Sequence, residues 1–268
     1  PIPKNKKSSA YKNFREEVLS DYRLANESRV ASLIGRREVL TGKAKFGIFG
    51  DGKEVAQLAM AKAFQNGDFR AGYYRDQTFM FATGTLTLEQ FFSQLYADPE
   101  ITNDPHSVGR QMNAHFGSRT LNEDGSWKNL VERKNSAADC SPTASQMARS
   151  VGLALASKHY RQDENLHSMT TFSNKGNEVT FCTIGDASCA EGVFWESINA
   201  AGVMKIPLAV SIWDDGYGIS VPQKYQITKQ DLGALLEGFN ANKTGEGLHI
   251  EQLKGWDYPA LCEAYEKG

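Results

Sequence analysis

Two short acidic turns, each following an apolar run, constrain the fold of this chain more than any other feature. Val179-Thr180-Phe181-Cys182-Thr183-Ile184 leads into Gly185-Asp186-Ala187-Ser188, and Leu208-Ala209-Val210-Ser211-Ile212 leads into Asp214-Asp215-Gly216-Tyr217. Between them, Glu191 to Met204 predicts a helix with Val193, Phe194, Ile198 and Ala201 on one face. Strand, turn, helix, strand, turn is a right-handed βαβ unit whose two loops emerge at one edge of a parallel sheet, where α/β proteins bind ligands. Taken singly, Asp186 reads as a helix cap and Asp214-Asp215-Gly216 as a surface turn. At matched strand ends, each with a neighbouring glycine that permits close backbone approach, Asp186 and Asp215 predict a hard divalent cation and a phosphate-bearing ligand.

A chain of 268 residues can bury one large α/β core, with or without an irregular extension. The net charge of -2 and pI near 6.3 leave no electrostatic footprint for nucleic acid. Cys140, Cys182, Cys189 and Cys262 form no CxxC pair, which predicts the reduced thiols of a cytoplasmic protein rather than disulfides or a zinc site. No apolar run approaches the ~20 residues of a membrane span, and no signal peptide is visible. The chain opens on Pro1 rather than Met, so it reads as a fragment of a longer product.

Residues 1–9 are basic and polar and predict a mobile arm, followed by a helix from Tyr11 to Arg37 ending near Gly35. Phe46 to Glu54 is a glycine-rich loop before a helix over Val55–Phe64. It matches half of a dinucleotide fingerprint, lacks the third glycine, and reads equally as a tight turn capping a helix. Thr87-Leu88-Glu89-Gln90 is a capping box whose helix buries Leu88, Phe91, Phe92 and Leu95. Residues 99–139 are polar and weakly periodic, and a segment that long without regular structure is more often functional than idle. Ser141-Pro142 predicts the start of another helix with an inner stripe of Met147, Val151 and Leu155. A helix near Lys229–Leu236, a short strand near Leu248–Ile250 and a helix from Pro259 complete the alternation.

In Tyr73-Tyr74-Arg75-Asp76 the guanidinium fork of Arg75 suits phosphate oxygens, and Tyr74 offers a second donor. Gly109-Arg110-Gln111-Met112 and His115-Phe116-Gly117 lie in the long polar segment. A lone histidine is more often structural than catalytic, so His115 counts as catalytic if that segment covers a site.

Together these stretches resemble the alpha subunit of the thiamine diphosphate-dependent component of 2-oxo acid dehydrogenases. Tyr74-Arg75, Gly109-Arg110-Gln111-Met112, Ser141-Pro142 with Ser145-Gln146, Gly185-Asp186-Ala187-Ser188 with Glu191-Gly192, and Asp215-Gly216-Tyr217-Gly218-Ile219-Ser220 follow the family in order and spacing from about residue 40 to 225. The branched-chain (2-oxoisovalerate) type is the better match than the pyruvate type. The resemblance implies an α/β thiamine diphosphate-binding fold, a mostly parallel sheet with helices on both faces. It divides the chain into an arm and helix over 1–37 and a cofactor-binding domain over 38–268, with the C-terminal part of the family domain missing.

By the same resemblance, Asp186 and Asp215 hold Mg2+ through side chains and Tyr217 through its carbonyl. Tyr74 and Arg75 hold the diphosphate, while Gly185, Ala187 and Ser188 line the cofactor. Ser141 and the backbone at Thr143 lie by the aminopyrimidine, and Ile219 props the cofactor in its bent conformation. Ser145 and Gln146 match a monovalent-cation (K+) loop found in some members. The implied reaction is oxidative decarboxylation of a 2-oxo acid with acyl transfer to a lipoyl-bearing acyltransferase. The implied partner is a beta subunit, or a fused beta region, that supplies the catalytic glutamate in an alpha2-beta2 assembly or a homodimer of fused chains. The C-terminal histidine loop of the family would lie past Gly268.

Three positions depart from the family pattern. Asp215 stands where Asn is usual and adds a negative charge beside the diphosphate, which predicts tighter metal dependence without loss of cofactor binding. Trp213 replaces a residue that is basic in some relatives, so one phosphate contact is absent or replaced. Cys140 sits where the cation loop often has a hydroxyl. Two other readings stay open: a transketolase-like or acetoin-cleaving thiamine enzyme, and a non-catalytic nucleotide-binding or scaffolding module.

Overall fold

The computed structural model describes residues 6–268, so residues 1–5 of the expected arm lie outside the described residues. The first helix, α1, spans Ser9–Leu40, with the Ser8 hydroxyl accepting from the Tyr11 amide. It runs through Gly35 without ending there. A Cβ on Gly35 would come 2.4 Å from the Phe49 ring, so this glycine provides close packing for Phe49 instead of a stop. Ser28, Ala31 and Ser32 are buried on the same helix, and the Ser28 hydroxyl meets that of Thr78 at 2.7 Å.

Four strands form one sheet: β1 (Phe69–Ala71), β2 (Asn135–Ser136), β3 (Thr180–Gly185) and β4 (Leu208–Trp213), in the order β2-β1-β3-β4 and all parallel. The register aligns Thr180 with Leu208 and Gly185 with Trp213, which brings both acidic turns to the same carboxyl edge. The crossover is α6 (Gly192–Met204), with Phe194, Ser197, Ile198 and Ala201 buried and Val193 packed partly against them.

Alternation along the strands divides the interior into two cores. Phe181, Ala209 and Trp213 join one, built with α1, α2 (Glu54–Ala63), α3 (Gln77–Ala82), α4 (Leu88–Leu95) and α8 (Tyr258–Lys267). Cys182, Ile184, Val210 and Ile212 join the other, with α6, α5 (Ser145–Gln162) and α7 (Leu232–Leu236). Helices therefore cover both faces, as period-two side-chain alternation requires of a doubly covered sheet. Among the described residues no helix is long and apolar enough to cross a membrane. All four cysteines are free thiols.

Several local expectations are corrected. Among the described residues no strand precedes the glycine-rich loop, so the half fingerprint is a turn before α2. The capping box at Thr87 and Gln90 forms in both directions, but Leu88 is exposed at the start of α4. Helix α5 begins at Ser145 after Ala144 in the left-handed region (φ 61°), not at Ser141-Pro142. The Ser141 hydroxyl meets His115 instead, so it is unavailable as a cap. Its inner stripe is Met147, Ser150, Ala154 and Ser157, because small residues let α5 lie close to the sheet. Leu248 makes an isolated bridge to Asn240, not a strand.

Beneath the carboxyl edge lies a buried ionic network. Arg70 on β1 donates from Nε to Asp76 Oδ2 (2.8 Å), from Nη1 to Asp139 Oδ1 (3.0 Å) and Ser136 Oγ (2.9 Å), and from Nη2 to Asp139 Oδ2 (3.0 Å) and the Tyr73 carbonyl (3.1 Å). Asp76 also accepts from the Thr183 hydroxyl on β3, and Asp139 from the Phe116 amide at 2.9 Å. Burial holds the Asp76 carboxyl above the usual carboxylate range, and Arg70 opposes that shift. The network joins β1, β2 and β3 and fixes the turn carrying Tyr73, Tyr74 and Arg75.

Candidate active site

The site is assembled from five segments at the carboxyl edge and bordered by a sixth, the long polar one over 99–139. Gly185 ends β3, and Asp186 opens a short 3-10 turn over Asp186–Ala190 that leaves the residue only 2 % exposed. Asp186 Oδ2 is buried with no hydrogen-bond partner. Desolvation, with Asp214 and then Asp215 nearby, pushes its carboxyl up to about 6. A buried carboxylate with one oxygen unpartnered and two other carboxylates nearby is costly unless a cation joins it. Tyr73 Oη, beside Gly185, is likewise buried without a partner.

The second acidic turn closes on the first. Residues Tyr217–Gly218 and Val221–Pro222 form a small antiparallel hairpin, and a Cβ on Gly218 would lie 2.7 Å from the Ala187 Cβ. At its tip Ile219 has φ 59° and is 88 % exposed. A β-branched residue in the left-handed region is strained, and such strain concentrates at ligand sites. No local signal announces this conformation, because Ile disfavours it.

Lys53 is the residue that sequence reasoning missed. Only 9 % of its side chain is exposed, and its Nζ lies 2.6 Å from Asp215 Oδ2. The glycine-rich loop thus delivers a counter-ion to the carboxylate that departs from the family pattern, and the extra charge is balanced within the chain. A lysine just before α2, directly after Gly52 in the glycine-rich loop, was the available signal.

The third and fourth segments adjoin. Gly50 approaches the Arg75 backbone so closely that a Cβ would sit 2.2 Å from its carbonyl oxygen, and Arg75 Nη1 donates to the Phe49 carbonyl at 2.7 Å. The Arg75 guanidinium lies over the Tyr74 ring (5.8 Å), and Tyr74 stacks against His115 (6.1 Å). His115 is 2 % exposed, with Nδ1 3.2 Å from the Asn113 carbonyl and Nε2 3.1 Å from Ser141 Oγ. The 99–139 segment therefore does border the site. Both ring nitrogens of His115 are engaged, which suits it to hold Ser141 in place. Asn113 pairs with both the amide and the carbonyl of Ile48 and ties that segment to the glycine-rich loop.

In the fifth segment Ser141 and Thr143 are exposed, whereas Ser145 Oγ is buried and unpartnered and Gln146 donates to the Thr183 carbonyl at 3.0 Å. Arg110, Gln111 and Met112 are exposed on the polar segment. Among the described residues no three His, Cys, Asp or Glu side chains form a metal cage by themselves. The donor set at Asp186 and Asp215 instead suits Mg2+, which takes one or two carboxylates and completes its shell with phosphate and water.

Parallel strands, a crossover helix and charged loops gathered at the carboxyl edge define an α/β domain of the class that binds ligands at that edge. The chain belongs to the dehydrogenase E1 component family, whose model matches residues 22–242. It is 30 % identical over 232 residues to the 2-oxoisovalerate dehydrogenase subunit alpha of Bacillus subtilis (strain 168), covering 85 % of this chain and 59 % of the relative. It is 27 % identical over 251 residues to the pyruvate dehydrogenase E1 component subunit alpha of Acholeplasma laidlawii, covering 93 % and 59 %. A shorter match, 32 % identical over 94 residues, joins it to the alpha subunit of an acetoin:2,6-dichlorophenolindophenol oxidoreductase of Cupriavidus necator, with 35 % of this chain and 26 % of the relative covered. The chain spans 59 % of the length of the first two relatives.

Proposed function

We propose that this chain is the alpha part of a thiamine diphosphate-dependent 2-oxo acid dehydrogenase, with a branched-chain 2-oxo acid preferred over pyruvate. The carrying observation is Asp186, whose orphaned carboxylate oxygen faces Asp214 and Asp215 at the edge where the family binds its cofactor. When bound, thiamine diphosphate supplies the nucleophilic carbon and the electron sink for decarboxylation. Asp186, Asp215 and the Tyr217 carbonyl hold Mg2+; Tyr74 and Arg75 hold the diphosphate; and Gly185, Ala187 and Ser188 line the cofactor. Ser141, held by His115, and the Thr143 backbone meet its aminopyrimidine end. Ile219, exposed on its strained turn, supplies the apolar prop. A monovalent cation beside Ser145 and Gln146 is supported by the unpartnered Ser145 hydroxyl.

In this reading residues 38–268 form the cofactor-binding domain, with α1 packed along it. The acyl group passes to a lipoyl-bearing partner, and a beta subunit or fused beta region supplies the catalytic glutamate. The preference for 2-oxoisovalerate rests on the relative with 30 % identity and on the segment from Gly109 to Gly117. Titration calorimetry tests the core of the reading: the chain binds thiamine diphosphate only with Mg2+, and does not bind NAD. Equal binding of NAD, or magnesium-independent binding, would sink it. In the same titration Asp215→Asn shifts the Mg2+ dependence and leaves Lys53 without its 2.6 Å partner. An unchanged magnesium curve would overturn the tighter metal dependence expected of the extra charge at Asp215.

A further inference from the structure

The cofactor site uses only one side of the long polar segment. Its other side helps to line a cavity of about 640 Å3, bordered by Asn66 and Lys134 ahead of β1 and β2, so it opens near the amino edge of the sheet. That is the edge opposite Asp186 and Asp215. Arg119, Lys128, Arg133 and Lys134 all border it, and no Asp or Glu does. None of these four cations makes an ion pair with a carboxylate among the described residues.

Two of the cations are held in place by carbonyls. Arg119 Nε donates to the Pro105 carbonyl at 3.2 Å, and Arg133 Nη1 donates to the Arg119 carbonyl at 2.8 Å. Each guanidinium spends one of its donors on anchoring, which limits the rotamer freedom that ligand binding must remove. His106 stands in the same wall with Nδ1 3.0 Å from the Gly117 carbonyl, while its Nε2 is buried without a partner. Ser118, also in the wall, is fixed by Ser136. Like charges gathered in one concavity repel each other, and the arrangement is favourable when an anion fills it. The cavity volume falls in the range of small-molecule sites, about 300–1,000 Å3.

We propose that this cavity is a second ligand site, separate from the cofactor site, for a small phosphorylated anion bearing at least two phosphoryl charges. A phosphoryl group presents several acceptor oxygens to guanidinium forks, ammonium groups and hydroxyls at once. Four cations exceed what a single carboxylate would balance.

Inorganic pyrophosphate is the probe, titrated calorimetrically into the full chain in EDTA, where the magnesium-dependent cofactor site is silent. Saturable binding is expected, weakened about tenfold or more in Lys128→Met/Arg133→Met because charge-assisted contacts are lost. Asp186→Asn leaves it unchanged, which separates this site from the cofactor site. Should the paired variant not fold, Lys128→Gln alone, at a half-buried side chain without an ion pair, gives the same test through a weaker affinity and a shallower salt dependence. Absence of pyrophosphate binding, binding indifferent to Lys128 and Arg133, or binding lost with Asp186 overturns the proposal. So does full loss of binding when the beta partner is added, which would make the cavity a docking face for an acidic protein segment.

Discussion

Asp186→Asn removes magnesium-dependent binding of thiamine diphosphate and, at the same time, makes the free chain more stable. The two effects have one cause. In the free chain the Asp186 carboxylate is buried, has an unpartnered oxygen and faces Asp214 and Asp215, so its charge opposes folding. A carboxyl raised from its ordinary value to about 6 carries a penalty of order 1–3 kcal/mol at neutral pH. The penalty is absent below the ordinary carboxylate range, grows as pH rises through about 6, and is constant above it. Asn lifts the penalty and withdraws the anionic ligand that a divalent cation requires. Affinity for the cofactor–Mg2+ pair is expected to fall about 100-fold or more, equivalent to ~3 kcal/mol. Urea denaturation without Mg2+ and calorimetry with it read the two halves. A destabilised free variant would assign Asp186 a structural role, and undiminished affinity would remove it from the metal site.

Arg70→Met is expected to cost about 3–5 kcal/mol of stability, the range for breaking a buried ion pair by deleting one partner. The guanidinium is fully buried and serves Asp76, Asp139, Ser136 and the Tyr73 carbonyl together. Met has a similar reach, so the loss is chiefly electrostatic: two buried carboxylates and a carbonyl lose their donors. Arg70→Lys does not rescue it, because one ammonium cannot reproduce a five-donor fork. With total stabilities of domains at 5–15 kcal/mol, the variant sits near the unfolding threshold. A loss below about 1 kcal/mol in urea denaturation would show that the network can be relaxed at little cost.

Much of the frame was legible in the chain itself. The two apolar runs and Glu191–Met204 fell in place as β3, β4 and α6 because burial on both faces leaves continuous apolar strands, and a crossover helix leaves a 3.6-residue stripe. Where expectations failed, a contact distant in sequence had displaced a local preference. Ser141-Pro142 carries a helix-start signature, yet Ser141 is taken by His115, and α5 waits for Ala144 in the left-handed region. Gly35 looks like a terminator, yet it exists to admit the Phe49 ring. Met147 keeps its place in the inner stripe of α5, yet Val151 and Leu155 give way to Ser150, Ala154 and Ser157, because close approach to the sheet selects small residues.

The sequence by itself determined the parallel βαβ unit, the pair of acidic turns and their order with the other motifs, since these depend on periodicity and on short-range turn chemistry. Tertiary structure alone decided how the parts face one another. Lys53 meets Asp215 across 162 positions, Arg70 binds carboxylates from two different segments, and four cations converge on the amino edge of the sheet. Charge partners are set by three-dimensional proximity, and Coulomb attraction leaves no periodic trace in the chain. That is why the candidate residues could be named in order, whereas the counter-ion that balances Asp215 had to be seen.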